Sequence, residues 1–403
     1  MNLVSYIDCR RSNPRYNTSM IRLLDKLLPT PNYRSLLPTI TPVKATPSYV
    51  VDKTTVASRL NDLQKALALY SFKSKIAFSF KTNYDFATSD FLPKNHLLAE
   101  TVSEHEYQLA KKLGFNSQKI ILNGPNKGDL RSVLKTNSLI HFDNFAELDE
   151  LVKLASILTP TATLGLRLRT AHVPSRFGFD IDSGDAQKAI DILEKNNLPL
   201  ESIHVHLGSD LYDPSLYQLS AISLGQFVAG NFLKIKYLDF GGGYPAHGAT
   251  PLGRSHQKTY PINTYIKAIS KFYDQIDYSP TLILEPGRYL IDDAVYFVTK
   301  VINKSTDARG QVLTVDATIN MLPSLWYRPA TIETYHPDFS KNQNDSHFTT
   351  VYGSSCQEHD LLFQGQLANC QVGDIIVFLA VGAYNQSMAP NFIFPAPKTI
   401  LVP

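Results

Sequence analysis

The chain has 403 residues, of which 43% are hydrophobic and 19% charged, and its formal net charge at pH 7 is +3. This length exceeds one typical core, so two domains are expected, and the near-balanced charge gives no reason to expect nucleic acid or an anionic membrane as a partner. The three cysteines are too few for a disulfide framework, and no apolar run reaches the length of a membrane span. Because no cleavable signal pattern opens the chain, a cytoplasmic globular protein is predicted.

The chain alternates between strand-like and helix-like patterns over most of its length. Residues 1–45 look irregular except for a helix at 19–28, and a strand at 46–52 then precedes an amphipathic helix at 54–70. Eight apolar runs of strand length follow, at 76–80, 97–101, 119–122, 138–142, 163–168, 202–206, 235–240 and 281–285. The clearest helices between them lie at 104–113, 145–156, 184–195, 215–229 and 263–276.

This rhythm predicts an α/β fold with a parallel (β/α)8 barrel over residues 52–290. A doubly wound open sheet is the competing interpretation, but it normally has fewer strands and often a glycine-rich turn after the first one. After Asp292 the rhythm changes to strands without good helices between them, at 294–303, 311–316, 347–352, 360–364 and 375–381. Residues 291–403, joined by 1–51, are therefore predicted to form a β domain of the sandwich or barrel type.

Polar and glycine residues stand where the predicted barrel strands end, which is where a barrel enzyme carries its chemistry. These residues are Lys81, Glu100 to Ser103, Asn123, Asp143, Arg167, His206, Ser209, Gly241 to Gly243, Glu285 and Arg288. Such a set favours an active site over random loop composition. Lys81 follows an aromatic strand, where burial is expected to lower the pKa of its amine and so allow a Schiff base with a carbonyl.

Three neighbouring strand ends suggest a phosphate site. Gly241 to Gly243 allow backbone N–H groups to converge on an anion, Ser209 offers a hydroxyl beside Gly208, and Arg288 adds a guanidinium. Each could be only a tight turn, but three adjacent strand ends are harder to dismiss. His204 and His206 share a strand face, yet no acidic partner is expected nearby and no metal is predicted.

A Schiff-base lysine, a phosphate cradle and a buried acid are what pyridoxal phosphate requires. Over residues 46–394 the chain resembles the fold-type III pyridoxal-phosphate decarboxylases, the group of ornithine, diaminopimelate and arginine decarboxylases. The motifs that carry the resemblance are Phe78-Ser-Phe-Lys-Thr-Asn83, Ser103-Glu-His-Glu106, His204-Val-His-Leu-Gly-Ser209, Asp239-Phe-Gly-Gly-Gly-Tyr-Pro245, Glu285-Pro-Gly-Arg288, Gly353-Ser-Ser-Cys-Gln-Glu-His-Asp360 and Gly382-Ala-Tyr384. The resemblance implies an alanine racemase-like architecture and a homodimer whose sites are shared between subunits.

The resemblance also implies roles for individual residues. Lys81 would be the Schiff-base lysine, His206 would stack on the cofactor ring, and Glu285 would pair with the pyridine nitrogen. Cys356 would reach in from the partner subunit to protonate the carbon that loses CO₂. The residues implied around the phosphate are Ser209, Gly242, Gly243, Gly287, Arg288 and, from the second subunit, Tyr384.

The residues at the substrate-binding positions of the family differ in this chain. In ungapped alignment, Gln357 replaces the acid that follows the cysteine, Glu358 comes one step later, and the diaminopimelate arginine reads as Pro323. Other candidate substrate contacts are Arg167, Tyr327 and Arg328, of which Arg328 could face a carboxylate or phosphate.

Both substrate-binding groups of the family, the acid after the cysteine and the diaminopimelate arginine, are therefore absent. The first hypothesis is decarboxylation of an amino acid, or of an amino-acid group on a larger molecule, in a specialised pathway such as siderophore or peptide-antibiotic synthesis. Diaminopimelate or ornithine decarboxylation in primary metabolism is the alternative. A racemase is disfavoured by Glu285, because the resemblance gives racemases an arginine at that place. A regulatory protein without cofactor is disfavoured because Lys81, Arg288 and Cys356 are all retained.

Overall fold

Two β-sheets organise the part of the chain that the structure, a computed structural model, describes: residues 42–246 and 259–402. The chain enters through strand β1 (Ser48–Asp52) and helix α1 (Lys53–Leu67). Asp52 begins this helix by accepting hydrogen bonds from the backbone N–H groups of Thr54 and Thr55. The helix predicted at 19–28 lies outside the described residues.

Eight parallel strands close into a barrel, which confirms the predicted (β/α)8 architecture. In spatial order they are β2 (Ser74–Ser79), β3 (Leu98–Thr101), β4 (Ile120–Leu122), β5 (Leu139–Phe142), β6 (Thr163–Arg169), β8 (Ser202–His204), β9 (Tyr237–Asp239) and β10 (Thr281–Leu284), and β10 pairs with β2 to complete the ring. A two-residue strand, β7 (Phe179–Asp180), pairs with β6 outside the ring. The carboxyl ends of all eight barrel strands therefore meet at one face.

Helices connect the barrel strands, as the 3.6-residue periodicity predicts. They are α2 (Tyr84–Ala87), α3 (Phe91–Lys94), α4 (Glu104–Lys112), α5 (Leu130–Leu134), α6 (Phe145–Ala155), α7 (Asp185–Lys195), α8 (Pro214–Gly230), α9 (Ile262–Ile269) and α10 (Gly287–Ile291). None of the helices among the described residues is both long and apolar enough to cross a membrane.

Some polar residues at the strand ends serve to start helices. Ser103 accepts a hydrogen bond from the Glu106 N–H, and the Glu106 carboxylate accepts one from the Val102 N–H. Asn144 and Glu147 do the same at the start of α6. These groups satisfy amides that a helix N-terminus leaves unpaired, so this part of the polar pattern belongs to the fold and not to catalysis.

The second sheet contains β1 and seven strands that follow the barrel. These are β11 (Val295–Asp307), β12 (Gly310–Val315), β13 (Thr331–Tyr335), β14 (Ser346–Tyr352), β15 (Leu361–Ala368), β16 (Ile375–Leu379) and β17 (Lys398–Val402), in the spatial order β13-β16-β11-β12-β14-β15, with β1 bonded to β11 and β17. The sequence analysis missed β13 and β17. Both are five residues long, and they closely follow Pro329 and Pro397, which mask a short strand pattern.

A segment of the β domain lies against the carboxyl face of the barrel. The N–H of Tyr384 donates to the carbonyl of Thr82 at 2.8 Å, and the Ser387 hydroxyl donates to the carbonyl of Lys81 at 2.7 Å. Asp292 holds the same segment by accepting from the Ala383 N–H at 3.0 Å. These contacts bring residues 382–387 next to the turn that carries Lys81.

Candidate active site

Lys81 lies in a 3₁₀ turn (Phe80–Thr82) directly after β2, and its amine faces a buried acid. The Nζ atom is 2.6 Å from Oε2 of Glu100, a residue of β3 that is 1% exposed. Burial works to lower the pKa of Lys81, but the charges of Glu100, Tyr384 and Glu285 outweigh it and hold the pKa above its ordinary value. The expectation of a lowered lysine pKa is therefore wrong, because the sequence did not reveal Glu100 as the amine's partner.

Asn123, which follows β4, links two buried carboxylates. Its Nδ2 donates to Glu100 at 3.1 Å and to Glu285 at 2.7 Å. His141 fixes this orientation, because its Nδ1–H donates to the amide oxygen of Asn123 at 2.7 Å while its Nε2 accepts from Ser202 at 2.7 Å. Burial lowers the pKa of His141 well below its usual value, so the ring is the neutral tautomer that this pattern needs.

The glycines after β9 form a narrow backbone cradle. A Cβ atom at Gly242 would lie 2.4 Å from the carbonyl oxygen of Glu285, and one at Gly243 would lie 2.2 Å from that of Gly208. Gly243 also has φ +88°, a conformation that favours glycine. Side chains are thus excluded where an anion would meet backbone N–H groups, as a phosphate site requires.

Arg288 brings a cation to the cradle and is held by two acids. Its side chain lies 3.0 Å from Asp210 and 3.1 Å from Asp292, and its guanidinium stands over the ring of Tyr384 at 5.2 Å. Asp292 also accepts a hydrogen bond from Arg328 of the β domain. Two arginines therefore share one buried carboxylate beside the cradle, a feature that needs the folded chain to be seen.

All nine residues predicted around the cofactor line one small cavity. They are Lys81, His206, Ser209, Gly242, Gly243, Glu285, Gly287, Arg288 and Tyr384. Tyr384 comes from the same chain as Lys81, so the prediction that it reaches the phosphate from a second subunit is wrong. Asp210 lines the same cavity although the sequence analysis gave it no role.

The residues predicted to contact substrate are more scattered. Arg167 is buried, pairs with Asp143 at 3.1 Å and stacks over Phe177. Cys356 is exposed and is not among the residues that line the cavity described above.

The other four predicted substrate contacts lie in the β domain. Gln357 accepts a hydrogen bond from Asn320 at 3.2 Å, Glu358 is exposed, and Tyr327 is half-buried next to the buried Arg328.

An acid does lie near His204 of β8 and near His206, which follows that strand, contrary to expectation. Ligand atoms of His204, His206 and Glu285 all lie within 4.8 Å of one another. His206 and Glu285 also line the cavity with Lys81, so the same atoms cannot serve a metal ion and a cofactor ring together.

Pyridoxal phosphate fits this set of residues. The backbone cradle and Arg288 suit its phosphate, Lys81 suits its aldehyde, and Glu285, which is 3% exposed, suits its pyridine nitrogen. The ring of His206 is neutral, because burial and then the charges of Arg167 and Lys81 lower the pKa of His206 to about 3. A neutral imidazole can lie flat against a ring that carries positive charge.

The lowered pKa of His206 predicts a measurable pH dependence of stability. Between pH 6.5 and about 3 the unfolded chain takes up a proton at this residue that the folded chain does not, so the folded state loses stability as the pH falls. Relative to His206→Gln, the wild-type free energy of unfolding should fall by about 1 kcal/mol per pH unit below pH 6.5 and stay constant above it. Urea unfolding of both cofactor-free proteins at pH 7.5, 6.5 and 5.5 measures this difference. A constant difference over that range contradicts the neutral ring.

Known proteins share both the sequence pattern and the fold. A family model described as pyridoxal-dependent decarboxylase, pyridoxal binding domain, matches residues 53–292. Diaminopimelate decarboxylase of Methanocaldococcus jannaschii is 28% identical over 380 residues, which cover 86% of this chain and 84% of that protein. The Bacillus subtilis enzyme of the same name is 26% identical over 384 residues, which cover 89% of this chain and 86% of that one.

Solved structures agree with these relatives. The crystal structure of the M. jannaschii diaminopimelate decarboxylase in complex with L-lysine has a TM-score of 0.77 at 25% identity, covering 89% of this chain and 87% of that one. A lysine/ornithine decarboxylase of Vibrio vulnificus in complex with cadaverine has a TM-score of 0.75 at 19% identity and covers 96% of this chain and 97% of that one. Both matches extend over the barrel and the β domain, and at 19% identity the second one shows the fold alone.

Proposed function

The chain belongs to the pyridoxal-dependent decarboxylase family, fold type III, and from that premise we propose that its substrate is diaminopimelate. As a carboxy-lyase that uses pyridoxal phosphate, it would release one carboxylate as CO₂ and leave lysine. The observation that carries the substrate proposal is the match to diaminopimelate decarboxylases over both domains. This substrate was the alternative in the sequence analysis, and the relatives favour it over the conjugated amino acid that was placed first.

Arg328 supports a substrate with a second carboxylate. Its guanidinium lies beside Arg288 at the edge of the cradle, since both donate to Asp292. A guanidinium is the side chain best suited to a carboxylate, because its N–H groups match the two oxygens. Diaminopimelate has a carboxylate at each end, whereas ornithine has only one. The arginine that ungapped alignment replaced by Pro323 is thus supplied from another position of the same loop.

In this proposal the chain's own residues bind, orient and move protons. Bound pyridoxal phosphate supplies the electron sink that stabilises the carbanion left at Cα. Lys81 exchanges a proton with Glu100 across 2.6 Å, which lets its amine be neutral when it must react. Glu285, held by Asn123, presents negative charge to the ring nitrogen. Cys356 of a second subunit delivers a proton to the carbon that has lost CO₂.

Gln357 favours a second candidate substrate, one without a charged distal amine. It stands where the family places an acid, and it hydrogen-bonds Asn320 instead of offering a charge to a distal amine. An amino-acid group whose distal amine is absent or acylated would suit this amide better. A CO₂-release assay with diaminopimelate, ornithine, lysine and N-acylated diamino acids decides between the two. Turnover of diaminopimelate far above the others supports the first proposal, and turnover of only the acylated compounds overturns it.

A shared site requires a second subunit, and an exposed apolar surface suits that contact. Four apolar side chains of the β domain have exposed fractions from 40% to 58%: Trp326, Met388, Phe392 and Ile393. Trp326 packs against His359 of the loop that carries Cys356, with ring centroids 5.7 Å apart. Exposed apolar groups of this size typically mark an interface, so we propose that two copies dock here and exchange their Cys356 loops.

Cys356→Ala is expected to lower kcat by about 10²-fold while pyridoxal phosphate stays bound, because the thiol acts only as an acid after CO₂ has left. Mixing Cys356→Ala with Lys81→Ala subunits should restore about a quarter of wild-type activity, since half of the random dimers then contain one intact site. Activity, cofactor absorbance and sedimentation of the mixture are the measurements. A mixture as inactive as its parents, in which sedimentation shows the mixed dimers present, excludes a shared site.

A further inference from the structure

Asp239 is a buried carboxyl group at the end of β9 that the roles described so far leave without a function. Its Cα pairs with His204 on one side and with Ile283 on the other, so the side chain faces the barrel interior beside the position of Glu285. The backbone ties the two strand ends together, because the Glu285 N–H donates to the carbonyl of Gly241 at 2.7 Å. Asp239 is 0% exposed, and water therefore cannot solvate it.

The two oxygens of Asp239 have different surroundings. Oδ1 accepts a hydrogen bond from the Gly241 N–H at 3.0 Å. Oδ2 is buried and has no donor. The group within its reach is the Glu285 carboxylate, which is itself an acceptor, so no hydrogen bond forms between them unless a proton is present. Glu285 already receives a hydrogen bond from Asn123, which leaves Asp239 as the carboxyl group in need of the proton.

The charges around Asp239 also disfavour its ionisation. His204, which pairs with Asp239 in the neighbouring strand β8, and His206, two residues further on, are neutral, since burial lowers the pKa of both. Tyr244, in the loop after β9, is also neutral, because burial raises its pKa.

The remaining charged groups already balance without Asp239. Lys81 is paired with Glu100 of the neighbouring strand β3, and Glu285 is the partner left for the cofactor ring. An ionised Asp239 would be a further buried negative charge without a cation, which is strongly unfavourable. Burial first, and Glu285 second, raise the pKa of Asp239 well above its ordinary value, in agreement with the geometry.

We propose that Asp239 is a neutral carboxylic acid whose Oδ2–H donates to Glu285 and thereby holds that carboxylate, ionised and oriented, against the pyridine nitrogen of the cofactor. Asp239 is a positioning residue, since it acts through Glu285 and touches neither substrate nor ring. The inference rests on the proposed role of Glu285 and is independent of the substrate's identity. Together with Asn123, Asp239 fixes Glu285 from two sides.

Infrared difference spectra test the protonation state directly. The spectrum of wild type minus Asp239→Asn, recorded at pH 7.5 on holoenzyme without substrate, should contain the C=O band of a protonated carboxylic acid, and the band should shift in D₂O. Asp293→Asn is the matched control. Asp293 is also buried, but it pairs with Arg59 at 2.6 Å and burial raises its pKa only to about 6, so its difference spectrum should contain carboxylate bands. Carboxylate bands in place of the acid band for Asp239 overturn the proposal.

Two substitutions separate hydrogen-bond donation from simple packing. Asp239→Asn keeps an N–H donor for Glu285 and should lower kcat by less than about tenfold, whereas Asp239→Leu should lower kcat by about 10²-fold with little change in KM. The dissociation constant of pyridoxal phosphate, measured by absorbance, should be about tenfold higher for Asp239→Leu than for wild type. Equal kcat and equal cofactor affinity in Asp239→Leu contradict the positioning role. If that variant does not fold, the infrared result decides the matter, because it needs only wild type, Asp239→Asn and the Asp293→Asn control.

Discussion

Replacing Lys81 by alanine is expected to abolish decarboxylation while leaving the barrel folded. Lys81 provides the only primary amine among the residues that line the described cavity, and its Nζ lies 2.6 Å from Oε2 of Glu100. Its loss removes both covalent attachment of the cofactor and a positioned acid–base group. We therefore expect kcat/KM to fall by about 10⁴-fold or more, the upper end of what one such group contributes. Steady-state CO₂ release and the visible absorbance of the bound cofactor measure the two effects.

Stability should change much less than activity in Lys81→Ala. Glu100 loses its cation but keeps hydrogen bonds from Ser79 and Asn123, so the free energy of unfolding should fall by about 1–3 kcal/mol. Lys81→Arg is the matched control, because it restores a cation for Glu100 without a nucleophilic amine. We expect Lys81→Arg to be nearly as stable as wild type and as inactive as Lys81→Ala. Full activity in either variant would overturn the assignment of Lys81.

The barrel could be predicted from the sequence because its signal is local. Apolar runs of four to six residues alternate with helical patterns, and all eight predicted runs overlap strands of the ring. The glycines after β9 and the Glu285-Pro-Gly-Arg288 turn are local signals of the same kind. They place their residues at strand ends whatever the details of packing are. Eight of the nine cofactor residues, all except Tyr384 of the β domain, therefore lie at strand ends around one cavity.

The network behind the cavity could not be predicted, because its partners are far apart in the chain. Glu100 meets Lys81 across 19 residues, while Asn123 meets Glu285 across 162. Which of several strand-end groups touch depends on strand stagger and side-chain direction, and a single sequence reports neither. The same lack of information about which side chains touch explains the wrong prediction for the pKa of Lys81. Burial could be inferred from an aromatic strand, but the opposite charge that reverses its effect could not.

The position of the arginine beside the cradle could not be predicted either, for a similar reason. Ungapped counting from Tyr327 placed Pro323 at the arginine position, yet the folded loop brings the guanidinium of Arg328 to Asp292, beside Arg288. Loop residues between Trp326 and β13 follow no periodicity that could fix an alignment. Only the shared contact with Asp292 indicates that Arg328 belongs at the cradle.

Glu285→Gln is expected to lower kcat by about 10²–10³-fold with a much smaller change in cofactor content. Glutamine has nearly the same shape and can still accept a hydrogen bond from Asn123, so the phosphate cradle and Lys81 stay in place. What is lost is the negative charge that stabilises a protonated ring nitrogen, and one preorganised electrostatic group is typically worth that much in kcat. Glu285→Asp, which keeps the charge on a shorter side chain, should retain more activity than Glu285→Gln. Higher activity of Glu285→Gln than of Glu285→Asp would show that shape and not charge matters here.

A double-mutant cycle then connects Glu285 with the carboxyl group behind it. If Asp239 acts by donating a hydrogen bond to Glu285, the loss caused by Asp239→Leu should nearly vanish when Glu285 is already glutamine, because there is no longer a charge to hold in place. Two independent roles would instead multiply, giving a double variant about 10²-fold slower than Glu285→Gln alone. The kcat values of wild type, both single variants and the double variant distinguish these outcomes. Effects that multiply would leave Glu285 as the carboxylate that acts on the ring nitrogen and would show that Asp239 does not act through it.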